Sequence, residues 1–262
     1  MIELGCQGFQ ETDAHLLCYI DKSQWDKQKF FRLKTELTSL LHTISANAAI
    51  SMREIQEENW NDQWERSIQP IEIGKRLVIK PSWGEYTNVS NRTVIQIDPK
   101  MSFGTGYHET TRLTLQLLEQ FVLTSCTLLD VGTGTGILSI AAVKLGAASA
   151  VGIDIDSWSI ENAQENIKAN HVQDAVVISD KSMKELHNRM FDIITANLTL
   201  NTNIELLEDF SRLLRNNGIL LLSGLLINDE ELMVNHLSKH NFHVEIKLSE
   251  NDWIALACKR TV

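Results

Sequence analysis

Residues Asp130-Val131-Gly132-Thr133-Gly134-Thr135-Gly136 set three glycines at alternate positions directly after the apolar run Thr127–Val131. Glycine lets a backbone turn sharply between a strand and a helix and lets a ligand come close to that turn. The dinucleotide fingerprint G-x-G-x-x-G needs a further glycine three residues past Gly134, and Ile137 stands there, so pyrophosphate binding is not the chemistry indicated. The next strand ends Val151-Gly152-Ile153-Asp154, an acid 20 residues past Gly134, where a carboxylate accepts hydrogen bonds from both ribose hydroxyls of a nucleoside. Asp156 and Asp180 read equally well as a helix cap or a solvated strand end.

Two further clusters carry polar chemistry. Asn197 follows the apolar strand Phe191–Ala196, and its side-chain carbonyl suits an incoming amine; the plainer reading is a turn-forming Asn that caps the next helix. The stretch from Asp98 to Thr111 (DPKMSFGTGYHETT) is dense in glycine and hydroxyls, as suits a loop folded over a ligand. His108 is a candidate base there, against a simpler reading in which His108 or Thr110 only caps a helix. His236 and His240 stand four apart on a predicted helix, but no Cys or acid completes a metal set, so no metal site is expected.

The elements that must hold these groups alternate. From about Asn91 the pattern runs TVIQID, a helix over 108–121, the strand TLLDV, a helix over 136–146, AVGIDI, a helix from Ser157 to Asn170, AVVISD, FDIITAN, a helix from Asn201 to Leu214, and GILLLSG. Strands alternating with helices of this length predict a parallel sheet covered on both faces. FHVEIKLS and DWIALACK, separated only by Glu250 and Asn251, require an antiparallel hairpin. The fold class is therefore α/β, a mostly parallel sheet with a C-terminal antiparallel hairpin, the arrangement of Rossmann-like class I methyltransferases, which this region resembles.

Upstream, apolar residues from Trp25 to Leu41 recur at helical spacing, flanked by strand-like pieces at His15–Ile20 and Ala48–Ile55. They predict a small N-terminal α+β domain over 1–60, followed by a connector over 61–90 and the main domain over 91–262. Trp60 and Trp64 share one helix face within the connector region, and Pro70 and Pro81 bracket a hairpin.

Acidic residues outnumber basic ones, 34 to 24, and the net charge of −10 disfavours extended nucleic-acid binding while suiting a basic protein partner. The four cysteines are scattered without a C-x-x-C pair, and no apolar window reaches membrane-spanning length. A cytoplasmic protein with reduced thiols is the expectation.

The segment DPKMSFGTGYHETT resembles DPG-[ML]-AFGTGTHPTT, found in ribosomal protein L-eleven methyltransferases, the PrmA type. The likeness extends through ENWNDQWERSIQPIEIGKRLVIKPSW, DVGTGTGILSIAAVKLGA, VGIDID, FDIITANL and NDWIALACKR. The resemblance implies an S-adenosyl-L-methionine-dependent protein N-methyltransferase acting on lysine and α-amino groups of that ribosomal protein, recruited by the N-terminal domain. It places cofactor contacts at Thr111, Gly132, Asp154 and Asn197. Departures fall at Lys100, Tyr107, Glu109, Thr133 and Leu198-Thr199, and the family's N-terminal domain is shorter here. An RNA or small-molecule methyltransferase on the same fold, and a non-catalytic cofactor-binding module, are the alternatives, because fold does not set substrate.

Overall fold

A computed structural model describes residues 8–11, 16–19, 27–43, 51, 68–98, 100, 102–186 and 189–261. The chain divides into two compact units, Met1–Asn59 and Trp60–Val262. In the first, β1 (Gly8–Glu11) pairs antiparallel with β2 (Leu16–Tyr19), and α1 spans Lys27–Thr43. The helix and β2 match the periodicity; β1, Gly-Phe-Gln-Glu, has no alternation to announce it. On α1, Leu33 is buried and Phe31 exposed. Trp25, Trp60, Trp64 and all of the expected strand at 48–55 except Ser51 lie outside the described residues.

Among the described residues, the second unit begins with a three-stranded sheet. β3 (Ile71–Ile73) and β4 (Leu77–Lys80) form the hairpin, and β5 (Thr93–Gln96) adds parallel to β4. Its apolar side chains Ile73, Leu77, Ile79 and Ile95 belong to the same buried cluster as α2 (Glu109–Phe121) and α3 (Ile137–Leu145). The stretch read as a connector thus contributes, in its described part, two strands to that core. The Glu119 carboxylate of α2 fastens the hairpin turn, accepting from the Lys75 and Arg76 amides at 2.9 and 2.8 Å.

The main sheet has seven strands: β6 (Thr127–Val131), β7 (Ser149–Ile153), β8 (Val176–Ser179), β9 (Phe191–Asn197), β10 (Leu214–Leu226), β11 (Phe242–Glu250) and β12 (Trp253–Arg260). Their order is β11-β12-β10-β9-β6-β7-β8. From β10 to β8 neighbours run parallel, and β12 runs antiparallel to both β10 and β11. Successive side chains of β6 and β9 enter opposite cores: Leu128 and Ile193 one, Leu129 and Ile194 the other. That two-sided burial explains why these strands read as continuous apolar runs.

Helix α4 (Ser157–Ala169) follows β7, and α7 (Glu230–Lys239) precedes the hairpin. The single helix expected over 201–214 is divided at Leu206 into α5 (Leu200–Glu205) and α6 (Leu207–Leu213). The terminal turn is Asn251-Asp252 rather than Glu250-Asn251, because Glu250 pairs with Trp253 and Asn251 takes the positive φ of 51° that a tight hairpin turn needs. No helix among the described residues is long and apolar enough to cross a membrane.

β6 lies between β7 and β9, so the chain leaves it to one side and later returns on the other. Ligands of open α/β sheets bind at the carboxyl ends of strands where the order reverses in this way.

Candidate functional site

The glycine turn leaves the carboxyl end of β6, and the upstream loop is stitched to it. Thr135 donates its amide to Phe103 O at 3.0 Å and its hydroxyl to Gly104 O at 2.5 Å. Gly134, at φ 53°, is required for this approach: a Cβ there would lie 2.3 Å from the Phe103 carbonyl oxygen. Asp130 braces the turn from below. It is fully buried and accepts from the hydroxyls of Thr133, Thr195 and Ser139 at 2.6, 2.8 and 3.1 Å. Burial pushes its carboxyl up from the ordinary aspartate range, and the three hydroxyls pull the other way without cancelling that effect.

Asp154, just past β7, is joined to the same turn: its Oδ2 accepts the Gly134 amide at 2.9 Å and its Oδ1 the Asp156 amide at 3.1 Å. Ile155 beside it is fully exposed, an apolar surface next to a carboxylate. Asp156 is the N-cap of α4, accepting from the Trp158 and Ser159 amides and the Ser159 hydroxyl. Asp180 is exposed past the end of β8.

Asn197 ends β9. Its Nδ2 donates to the Thr110 and Thr111 hydroxyls of α2 at 3.2 and 3.4 Å, and both threonines are buried. With the NH2 so engaged, the amide keeps its carbonyl oxygen for another donor. The adjoining Leu198 is clamped: its amide donates to Ser223 O at 3.2 Å, and its carbonyl accepts from Asn203 Nδ2 at 2.9 Å. Asn203 is fully buried and also donates to Ser223 O at 3.0 Å. The Leu198 side chain reaches Gly132, where a Cβ would come within 2.5 Å of its Cδ2. Thus Asn197, bonded to Thr111, is followed by Leu198 whose side chain reaches Gly132, in the same glycine turn whose Gly134 is bonded to Asp154.

His108 caps α2. Its Nδ1 accepts the Thr110 amide at 3.3 Å and lies 2.8 Å from the Thr110 hydroxyl, so the nitrogen a base would use is engaged and the ring proton belongs on Nε2. The imidazole stands between two rings, Phe103 at 5.4 Å and Trp253 at 5.0 Å between centroids. The terminal hairpin holds the start of α2 by a second route. Glu250 pairs with Arg112, Nη2–Oε1 2.6 Å, and Asn251 donates to Glu109 at 2.8 Å. Glu109 is held below the ordinary glutamate range by its own helix-start amide and by Asn251. Tyr107 donates its hydroxyl to Gln69 O, and burial pushes that phenol up to about 12. Tyr107 and Glu109 stand where the resembling segment has threonine and proline; the Tyr107 hydroxyl sits at the end of a longer side chain than threonine's, and the Glu109 carboxylate has no counterpart in proline.

Trp253, Arg112, Glu250 and Asn203 were not singled out in the sequence, since no local pattern marks them and the partners of the first three lie far along the chain, 138 residues apart for Arg112 and Glu250 and further still for Trp253 and His108. The His236–His240 pair resolves into a helix end, with His240 Nδ1 2.9 Å from the His236 carbonyl. A cavity of about 470 Å³ beside Asp192 and Arg215 opens at the amino end of the sheet, away from the glycine turn.

A family profile described as ribosomal protein L11 methyltransferase (PrmA) matches residues 3–261. The ribosomal protein L11 methyltransferase of Anoxybacillus flavithermus is 36% identical over 261 residues, 98% of this chain and 84% of that one. That of Caldanaerobacter subterraneus subsp. tengcongensis is 34% identical over 240 residues, covering 92% and 75%. Among solved structures, a ribosomal protein L11 methylase from Lactobacillus delbrueckii subsp. bulgaricus superposes with a TM-score of 0.70 at 31% identity, covering 74% of this chain and all of that one.

Proposed function

Since this chain belongs to the ribosomal protein L11 methyltransferase family, we propose that it transfers methyl groups from S-adenosyl-L-methionine to lysine and α-amino groups of ribosomal protein L11, in the cytoplasm where ribosomes are assembled. The observation that carries the reading is the orientation of Asn197 by Thr110 and Thr111 beside the glycine turn.

The donor set fits the cofactor. Asp154 offers carboxylate oxygens to ribose hydroxyls, Ile155 an apolar surface to a flat base, and the Gly132–Gly136 turn a backbone against which the amino-acid end packs. When bound, the cofactor supplies a methyl group on a sulfonium sulfur, open to displacement by a nitrogen lone pair. Asn197 Oδ1 accepts an N–H of the incoming amine and so aims its lone pair. Thr110 and Thr111 keep that amide from rotating, and the Leu198 clamp keeps the residue in place.

Holding nucleophile and methyl in line supplies most of what such a displacement requires. A lysine ammonium must first lose a proton, at about 4 to 5 kcal/mol at pH 7 from a reference pKa near 10.4. Desolvation between the upstream loop and the terminal hairpin lowers that cost. His108 serves as the cap of α2, not as the base. The N-terminal unit, which carries no chemical motif, recruits L11.

The test is incubation of the full chain with labelled S-adenosyl-L-methionine and separated ribosomal proteins, rRNA and small amines. Label in L11 alone supports the reading. Label only in rRNA or amines replaces it with another methyltransferase, and no label anywhere leaves a binding module.

A further inference from the structure

Three buried asparagines, Asn162, Asn166 and Asn170, recur at helical spacing along one face of α4 and its C-cap. Buried amides are costly unless their hydrogens find partners, so what each one binds is informative. Asn170 treats β5 as a neighbouring strand would. Its Oδ1 accepts the Gln96 amide at 2.9 Å and its Nδ2 donates to the Gln96 carbonyl at 2.6 Å, closing the edge of the small sheet. Asn166, one turn nearer the start of α4, reaches further. Its Oδ1 accepts the Asp98 amide at 3.2 Å, where the upstream loop begins, and its Nδ2 donates to the Thr135 carbonyl at 2.9 Å, inside the glycine turn.

Three consecutive peptide groups of that turn are thus each held by a different element. Asp154 holds the Gly134 N–H, Phe103 the Thr135 N–H, and Asn166 the Thr135 C=O. Thr135 stands between Gly134 and Gly136, which offer no side chain to resist rotation of the backbone, so its peptides stay in place only while they are bonded. Asn162 fixes which way the Asn166 amide faces, because its Oδ1 accepts the second Nδ2 hydrogen at 3.3 Å. That orientation leaves Asn162 Nδ2 buried and with no partner among the described residues. Reversing the Asn162 amide would set two NH2 groups against each other, so the unmet donor accompanies the locking of Asn166. The neighbouring ion pair of Lys100 with Glu165 is exposed on both sides and adds little.

We propose that Asn166 is a positioning residue for cofactor binding: it sets the Thr135 peptide, and with it the glycine turn and the loop stitched to that turn, in the form that receives S-adenosyl-L-methionine. The proposal deepens the functional reading above and rests on it. Asn166 acts through Thr135, without itself touching the cofactor. Its bond to Asp98 secures one end of the upstream loop, and Thr135 secures the other at Phe103 and Gly104.

The experiment measures S-adenosyl-L-methionine binding to the full chain by calorimetry, with thermal melts alongside, for Asn166→Ala and Asn170→Ala. Both variants lose buried hydrogen bonds and should melt lower, but only Asn166 reaches the turn. The expected result is a dissociation constant raised about tenfold or more in Asn166→Ala and less than about twofold in Asn170→Ala. Equal effects in the two, or no change in Asn166→Ala, overturn the proposal. Asn166→Asp gives a second readout that holds even where the alanine variant does not fold. Its carboxyl accepts from the Asp98 amide in either state but donates to the Thr135 carbonyl only while protonated, a form that burial favours. Its affinity relative to the parent should fall about fivefold or more between about pH 5 and about pH 8 as that proton is lost, and a constant ratio overturns the proposal. A parent chain that binds no S-adenosyl-L-methionine overturns the functional reading itself.

Discussion

Asn197 Nδ2 donates to the Thr110 hydroxyl at 3.2 Å, joining the end of β9 to the first turn of α2 across 87 residues of chain. The contact engages the amide's donor with the protein, and on the proposed function it is the acceptor that meets the substrate amine. Asn197→Ala should therefore lower kcat by tenfold or more while changing the cofactor dissociation constant little. Steady-state kinetics with calorimetry of S-adenosyl-L-methionine binding checks this. Loss of cofactor affinity with normal turnover at saturation would show that Asn197 only holds the cofactor.

Asp154→Asn should weaken S-adenosyl-L-methionine binding by about 1 to 3 kcal/mol, because charge-assisted hydrogen bonds become neutral ones. In the variant the single side-chain oxygen can still accept the Gly134 amide, at the expense of the longer contact from the Asp156 amide. Unchanged affinity by calorimetry refutes the assignment.

Asp130 yields a prediction in pH. Burial raises its folded-state pKa above the unfolded value, so between the two the folded chain binds more protons than the unfolded one. Its contribution is fully present below the unfolded pKa of about 3.9 and is lost as pH rises through the folded value. Urea titrations of the parent and Asp130→Asn across pH 4 to 8 should show the parent losing stability relative to the variant as pH rises. A constant difference across that range would mean the carboxyl ionises alike in both states.

Gly224 and Gly146 offer an internal comparison, since both have positive φ, 77° and 127°. A Cβ at Gly224 would lie 2.2 Å from the Leu198 carbonyl oxygen, whereas at Gly146 the nearest neighbour is 3.9 Å away. Gly224→Ala should cost about 2 kcal/mol or more, and Gly146→Ala about 1 kcal/mol from backbone strain alone. Because the clash falls on Leu198, the Gly224 variant should also lose turnover at temperatures where it stays folded. Equal effects in thermal melts and assays would argue against the clamp on Leu198.

Division of labour between the units is testable by truncation. A fragment of residues 60–262 should bind S-adenosyl-L-methionine yet methylate L11 poorly at low substrate concentration, because tethering through the N-terminal unit is lost. Cutting near Asn88 instead removes Ile73, Leu77, Val78 and Ile79, all buried. At about 1.5 to 3 kcal/mol each, that loss approaches the whole stability of a typical domain, so the shorter fragment should not fold. Full L11 methylation by the 60–262 fragment would remove the recruiting role.

Local pattern made some of this legible and left the rest hidden for physical reasons. The strand-turn-helix around Gly132 and the acid at Asp154 are visible because glycine geometry and strand period act over a few residues. The limits of α4 follow from Asp156 and Asn170, residues whose short polar side chains suit helix ends. The hairpin turn was misplaced by one residue because Glu250 and Asp252 are equally polar, and only the positive φ at Asn251 separates them. Trp253 against His108, and Asn203 beneath Leu198, express tertiary packing for which a single chain offers no period.

The tie of Arg112 to Glu250 spans 138 residues. During synthesis at about 5 to 20 residues per second, roughly 7 to 30 seconds separate the emergence of the two partners. Throughout that interval the start of α2 lacks its ion pair with Glu250, the hydrogen bond from Asn251 and the ring of Trp253, while the glycine turn and Asp154 emerge within its first third. The ties that fix the start of α2 to the end of the sheet are thus among the last that the growing chain can make.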